Sequence, residues 1–165
     1  MHPSAFTLFW AWLTALVTTL SFGPSFAHVL EAWPRLRMWS PDLWREATVF
    51  SGQFVLFLYV GAPLDVLAIV FPAALALLAR QNRTAGLAAG TGAAFYALAL
   101  LLWFTMVSPA NHVLATWTPG AIPNDFEAIR WRWETGHMAV ASAKLFGLAL
   151  VLLSLILVGR EQARA

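Results

Sequence analysis

The sequence contains four apolar runs, each long enough to cross a lipid bilayer as a single helix. They extend from about Ala5 to Leu30, Val49 to Ala79, Ala85 to Val107 and Trp133 to Val158. A hydrocarbon core of ~30 Å needs about 20 mostly apolar residues per helix, and the runs are too long for barrel strands. We therefore predict one all-α domain over residues 1–165, an integral membrane four-helix bundle with antiparallel neighbours.

The composition agrees with a membrane domain and excludes several other classes of protein. Hydrophobic residues make up 60% of the chain and charged residues 11%, against about 45–50% and about 25% in ordinary soluble domains. The net charge of +2 excludes a nucleic-acid binder that relies on basic patches. Cysteine is absent, which excludes disulfides, a thiolate nucleophile and cysteine-ligated metal centres.

Arginines at the helix connections indicate the orientation in the membrane. Four spans place both termini on one side, called side A, and the opposite side is called side B. Side A carries Arg80 and Arg83 in a tight loop, and Arg160 and Arg164 after the last span. Because Lys and Arg beside spans favour the cytoplasm, we expect side B to face the periplasm or exterior of a bacterial inner (plasma) membrane. The amino end has no Lys or Arg, so we expect a retained first helix and not a signal peptide.

Two ionisable residues, Asp65 and Lys144, lie deep within the predicted second and fourth spans. They precede the side A arginines Arg80 and Arg160 by nearly the same number of residues, which places both roughly 22–24 Å from side A. Equal depth predicts an intramembrane ion pair, either a structural salt bridge or a proton or substrate relay. Two unpaired charges facing a wet cavity are the third alternative.

A second polar cluster is expected at side B, where the ends of three spans meet. It contains imidazoles, carboxylates and one amide: His28, Glu31, Asn111, His112, Glu134 and His137. Imidazole and carboxylate are ligands for iron, copper, zinc or manganese. Glu134 and His137 also have the Glu-x-x-His spacing of half a carboxylate di-metal site. The sequence therefore predicts a metal-binding or catalytic site in the side B half of the bundle.

Several roles for this cluster remain open. The metal hypothesis makes ligands of His28, His112, Glu134 and His137, with iron or copper as the metal. Two of the histidines would alternatively be the axial ligands of haem b. In metal-free catalysis His137 or His28 would act as the base, with Glu134 beside His137 and Asn111 as an oxyanion donor. The structural alternative is that these groups only bind one another and lipid headgroups.

Most of the nine tryptophans lie near side B. The simplest interpretation is an interfacial aromatic belt. The alternative is that Trp33, Trp131 and Trp133 bind a flat aromatic molecule by stacking. A small-xxx-small pattern from Gly86 to Gly90 permits close helix packing, within one chain or in a homo-oligomer or larger complex.

Two short motifs resemble the anthrone oxygenase-related family of small four-span membrane proteins. They are Pro109-x-Asn111-x-x-Leu114 and Trp133-x-x-x-His137, and the stretch from Gly23 to Pro34 is similar to the end of that family's first span. The resemblance implies a monooxygenase that converts an anthrone to an anthraquinone with molecular oxygen. It also implies that Asn111 and His137 are the polar positions of the site, with Trp133 beside them. Family members tend to have an arginine soon after that histidine, which this chain lacks.

The sequence as a whole favours an integral membrane oxidoreductase, monooxygenase-like, that acts on a lipophilic aromatic or quinol-type substrate. This substrate would enter from the lipid bilayer into the side B half. A haem- or metal-binding electron-transfer protein is the second hypothesis. A non-catalytic accessory membrane subunit is the third.

Overall fold

The computed structural model describes residues 5–52 and 57–163. Within these ranges all regular structure is helical, and four stretches are long and apolar enough to cross a membrane: Ala5–Arg37, Phe57–Leu78, Arg83–Leu114 and Phe126–Glu161. The predicted all-α four-helix membrane bundle is therefore confirmed. Residues 53–56, which fall in the predicted second span, and Arg164 lie outside the described residues.

Six α-helices and three π-helical turns lie within the described residues. The helices are α1 (Ala5–Arg37), α2 (Pro41–Arg45), α3 (Ala62–Leu78), α4 (Arg83–Leu102), α5 (Ser108–Leu114) and α6 (Phe126–Gln162). The π-helical turns are Glu46–Phe50 after α2, Phe57–Gly61 before α3, and Trp103–Val107 between α4 and α5. Single π-helical turns within helices are frequent at functional sites.

All four spans differ from the predicted boundaries at side B, where the third continues to Leu114 and the fourth begins at Phe126. The first helix continues past Leu30 to Arg37, and at about 1.5 Å per residue α1 is ~50 Å long. Val49, the predicted start of the second span, lies in the π-helical turn after α2. Gly52 follows that turn with a φ of +68°, a backbone conformation that favours glycine.

The four long helices form a closed ring in which α1 and α4 each pack against both α3 and α6. Small residues permit close approach, as expected between membrane helices. A Cβ on Gly147 of α6 would lie 2.8 Å from the ring of Tyr96 on α4. A Cβ on Gly86 would lie 3.2 Å from the carbonyl oxygen of Ala76. The Gly86-to-Gly90 pattern therefore packs α4 against α3 within the chain.

The side A end is compact. Asn82 caps α4 by accepting a hydrogen bond from the amide of Ala85 at 3.0 Å, and its Nδ2 donates to Glu161 Oε2 at 2.9 Å. This bond places the α3–α4 turn beside the end of α6. Between this end and the middle of the bundle, small and branched side chains form a buried apolar cluster: Ala11, Ala15, Leu75, Ala89, Val151 and Leu155.

The side B end is covered by α2 and the loop that precedes α6. Arg45 of α2 donates to the carbonyl oxygens of Gly120 at 2.6 Å and Ala121 at 2.9 Å. Arg130 of α6 donates to the carbonyl oxygens of Arg35 and Trp39 near the end of α1. These bonds tie the covering segments to the bundle and leave a cavity beneath them.

Candidate functional site

A cavity of about 780 Å³ lies in the side B half of the bundle. Its walls come from α1, α3, α5, α6 and the π-helical turns that contain Phe57 and Trp103. Most of the lining is apolar, and the polar side chains include Ser21, Ser25, His28, Thr48, Asp65, Asn111, His137 and Lys144. A concave apolar site with a few convergent polar groups is typical of a small-molecule binding site.

Two histidines from different helices stack at the outer end of the cavity. The rings of His28 and His137 lie 4.1 Å apart between centroids, with an angle of 19° between their planes. Trp133 lies against both rings, edge-on to His28 at 5.3 Å and tilted against His137 at 4.3 Å. His137 makes no hydrogen bond to any residue in the described ranges and lines the cavity. Its ring nitrogens are therefore available to a bound molecule.

Asn111 has a fixed orientation beside the histidines. The indole Nε1 of Trp133 donates a hydrogen bond to Asn111 Oδ1 at 2.9 Å. An indole nitrogen is only a donor, so the amide atom that faces it must be the oxygen. The NH₂ group of Asn111 is then left as a donor toward the cavity, which this residue lines. This is the arrangement that an oxyanion donor requires.

The inner end of the cavity contains the predicted intramembrane ion pair. Lys144 Nζ lies 2.6 Å from Asp65 Oδ1, and the Lys144 side chain is 5% exposed against 21% for Asp65. Ser21 completes the group, because its hydroxyl donates to Asp65 Oδ1 at 2.6 Å and its carbonyl oxygen accepts from Lys144 at 3.2 Å. The group links α1, α3 and α6 at the depth that the sequence indicated.

Replacing Asp65 by Asn alone is expected to destabilise the protein more than the double change Asp65→Leu with Lys144→Met. The single change leaves the Lys144 ammonium buried without a counter-ion, a loss of about 3–5 kcal/mol, whereas apolar replacement of both partners is often neutral. Thermal unfolding in detergent, followed by circular dichroism, measures the difference. Equal midpoints for the single and double variants would contradict this prediction.

Glu134 is absent from the lining of the cavity, so its position gives no support to the predictions of Glu134 as a catalytic residue and as a metal ligand, which remain predictions. Its Oε1 accepts hydrogen bonds from Arg35 Nε and Trp44 Nε1, each at 2.7 Å, and the side chains of Arg35 and Glu134 are both 0% exposed. Arg35 also donates to Thr48 at 2.6 Å. The carboxylate is oriented by this guanidinium, a partner that the sequence did not indicate because Arg35 lies beyond the predicted end of the first span.

His112 and Glu31 also lie away from the other members of the cluster. His112 is exposed, and its Nδ1 lies 2.8 Å from the carbonyl oxygen of Ser108 on its own helix. It follows Asn111 directly, and adjacent helical residues diverge by about 100°, so only Asn111 reaches the cavity. Glu31 is exposed at the outer part of α1. The prediction of His112 as a metal ligand is therefore not supported by its position.

Of the three tryptophans predicted to bind a ligand, only Trp133 lines the cavity. Trp33 is 66% exposed and Trp131 is 55% exposed, both on the outer surface near side B. These exposures fit the interfacial aromatic belt, and the positions of Trp33 and Trp131 do not support the prediction that they stack on a ligand. Trp103, which the sequence analysis did not select, lines the cavity instead.

The residues of the cavity do not fit the suggested metal or haem. Within residues 5–52 and 57–163, no three His, Asp or Glu side chains lie close enough to hold one metal ion. The stacked rings of His28 and His137 also do not fit haem, because axial ligands bind iron from opposite faces of a macrocycle. Rings with centroids 4.1 Å apart leave no space for a macrocycle between them.

Comparison with known proteins places no constraint on the function. No protein-family model, curated protein or solved structure matches this chain. The class of protein is therefore defined by the fold alone, as an integral membrane four-helix bundle with a mainly apolar cavity near one surface.

Proposed function

We propose that this chain is a membrane oxidoreductase, monooxygenase-like, which binds a lipophilic hydroxyaromatic or quinol-type molecule in the side B cavity. The observation that carries the proposal is the combination of an apolar cavity of about 780 Å³ with an accessible imidazole and a fixed amide donor at one end. The imidazole belongs to His137 and the amide to Asn111. A cavity of this size is in the range of ~300–1,000 Å³ that holds drug-sized ligands.

The cavity wall supports entry of the substrate from the bilayer. Several of its apolar residues are also strongly exposed on the outside of the bundle, where lipid lies: Leu20, Leu58, Tyr59, Val66 and Phe104. α3 contributes few buried residues to the bundle, and the span that contains it is the least buried of the four described spans. A lipophilic molecule would reach the site without crossing water.

The proposed chemistry begins with proton removal by His137. An anthrone, or its phenol tautomer, loses a proton to the imidazole, and the resulting oxyanion accepts a hydrogen bond from the NH₂ of Asn111. The electron-rich anion then reacts with molecular oxygen. The ring carbon loses two hydrogens and gains one oxygen atom, and the second oxygen atom leaves with the two hydrogens as water. The reaction balances with dioxygen as the only oxidant.

The motifs built on Asn111, Trp133 and His137 support the same proposal. They carry the resemblance to anthrone oxygenase-related proteins, and these three residues lie at one end of the cavity. We propose membership of that family on this ground. The arginine expected after the histidine has no counterpart at positions 138–141, and Lys144 is the basic residue of α6 that lines the cavity.

The activity is tested with the purified chain in lipid nanodiscs and anthrone as the substrate. We expect oxygen uptake above that of empty nanodiscs, with one O₂ consumed per anthraquinone formed. With ¹⁸O₂, one labelled atom should appear in the new carbonyl group of the product. If the folded protein takes up no more oxygen than empty nanodiscs, the result would favour a non-catalytic accessory subunit.

We also propose that side A faces the cytoplasm and that the cavity lies in the outer half of a bacterial inner membrane. Arg80, Arg83 and Arg160 are exposed at side A, where the bond between Asn82 and Glu161 holds the helix ends together. Positive charge beside spans favours the cytoplasmic side. This is tested by labelling single cysteines, introduced at Arg83 or at Gly120, in intact cells. Only the cysteine at position 120 should react with an impermeant maleimide.

A further inference from the structure

The cavity has a second polar end that the proposed chemistry does not use. Asp65 receives two hydrogen bonds, from Ser21 and Lys144, and both go to the same oxygen, Oδ1. The other oxygen, Oδ2, accepts no hydrogen bond from the described part of the chain. Asp65 lines the cavity and is 21% exposed. A carboxylate oxygen is thus presented to an otherwise apolar space.

This arrangement is costly unless a bound molecule uses it. A carboxylate that faces an apolar space loses hydration, and its pairing with Lys144 occupies only one of its two oxygens. Lys144 and Ser21 fix the position of the carboxylate, since each bond ties it to a different helix. Ionised carboxylates accept hydrogen bonds and donate none. The matching group on a ligand is therefore a hydrogen-bond donor, such as a hydroxyl, and not a ketone or an ether.

The two polar ends are separated by a fixed distance along two helices. His137 and Lys144 on α6, and His28 and Ser21 on α1, are each two helical turns apart, or about 10–11 Å. Taking this rise as an estimate of the span between the two ends, hydrogen bonds of about 2.8 Å at each end leave roughly 5 Å between the two oxygens of a ligand. One aromatic ring, or two fused rings, with oxygens on opposite edges supplies this separation.

We infer that the preferred ligand is a flat aromatic diol, with one hydroxyl at His137 and Asn111 and a second hydroxyl that donates to Asp65 Oδ2. This inference rests on the proposed function, because it assumes that the outer end of the cavity binds the first oxygen. It adds the substrate class: aromatic molecules with a free hydroxyl on each of two opposite edges.

The test compares two naphthalenes of nearly equal size, 1,5-dihydroxynaphthalene and 5-methoxy-1-naphthol. Only the diol has a second donor. Isothermal titration calorimetry in nanodiscs, with empty nanodiscs subtracted, gives the two Kd values. Because a hydrogen bond to a charged group is stronger than a neutral one, we expect the diol to bind at least tenfold more tightly to the unmodified protein.

Two variants test whether the preference for the diol depends on Asp65. The double variant Asp65→Leu with Lys144→Met removes the ion pair without leaving a lone charge, and it should bind both compounds with equal affinity. The variant His137→Phe should bind both compounds more weakly and should retain the lower Kd for the diol. Equal Kd values in the unmodified protein would overturn this inference and leave the proposed function standing. Binding of neither compound to folded protein would overturn the proposed function and the inference with it.

Discussion

The variant His137→Ala is expected to oxidise anthrone about 100-fold more slowly than the unmodified protein, or not at all. A positioned general base contributes typically about 10²–10⁴-fold to a rate. His137 combines a place on the cavity wall with ring nitrogens that no described residue occupies. Oxygen uptake in nanodiscs, corrected for the spontaneous oxidation of anthrone, measures the effect.

The matched control is His112→Ala, which makes the same chemical change outside the cavity. His112 is exposed, and its ring nitrogen lies at hydrogen-bond distance from the carbonyl oxygen of Ser108 on its own helix, so its loss should leave the rate within about twofold. The variant His137→Phe retains a ring that stacks on His28 and removes both nitrogens, which separates packing from proton transfer. Full activity in His137→Phe would remove this residue from the mechanism.

The positions of Asp65 and Lys144 show what the sequence can predict in a membrane protein. Apolar runs set the number and order of the helices, and equal depth from side A was enough to pair the two residues. Both rules concern distance along a helix axis, which the rise per residue fixes. They do not depend on how each helix is rotated.

The outer cluster shows where such prediction fails. Asn111 and His112 are neighbours in sequence, yet one lines the cavity and the other is exposed, because rotation about the helix axis decides between them. Glu134 and His137 are three residues apart, a spacing that usually places side chains on one face. Only His137 faces the cavity, since Arg35 binds Glu134. The rotation of each helix about its axis depends on tertiary contacts, which cannot be predicted from a single sequence.

The buried pair of Arg35 and Glu134 has a clear connection to the candidate site. The guanidinium carbon of Arg35 lies 5.2 Å from the ring centroid of Trp133 and 4.8 Å from that of Trp39. Trp133 in turn donates the hydrogen bond that orients Asn111. Glu134 is therefore a positioning residue, because it fixes the cation against which the indole packs.

Replacing Glu134 by Gln is expected to lower the free energy of unfolding by about 3–5 kcal/mol, because it removes the buried carboxylate that pairs with the Arg35 guanidinium. Because Gln preserves the size of the side chain, the decrease in unfolding free energy would be due to the lost charge and not to altered packing. Titration with sodium dodecyl sulfate in mixed micelles, followed by tryptophan fluorescence, measures the free energy. Where the variant folds, anthrone oxidation should also fall, with kcat more affected than KM, since Asn111 is less firmly oriented.

The matched control is Glu127→Gln in the same helix. Glu127 also faces an arginine, since its Oε1 lies 3.4 Å from Arg130 Nη1, but its side chain is 73% exposed. Exposed ion pairs contribute about 0–1 kcal/mol, so this change should have little effect on the free energy of unfolding or on the rate of anthrone oxidation. A similar loss for Glu127→Gln and Glu134→Gln would contradict the buried-charge explanation. Normal stability in Glu134→Gln would also contradict it, whatever the effect on kcat.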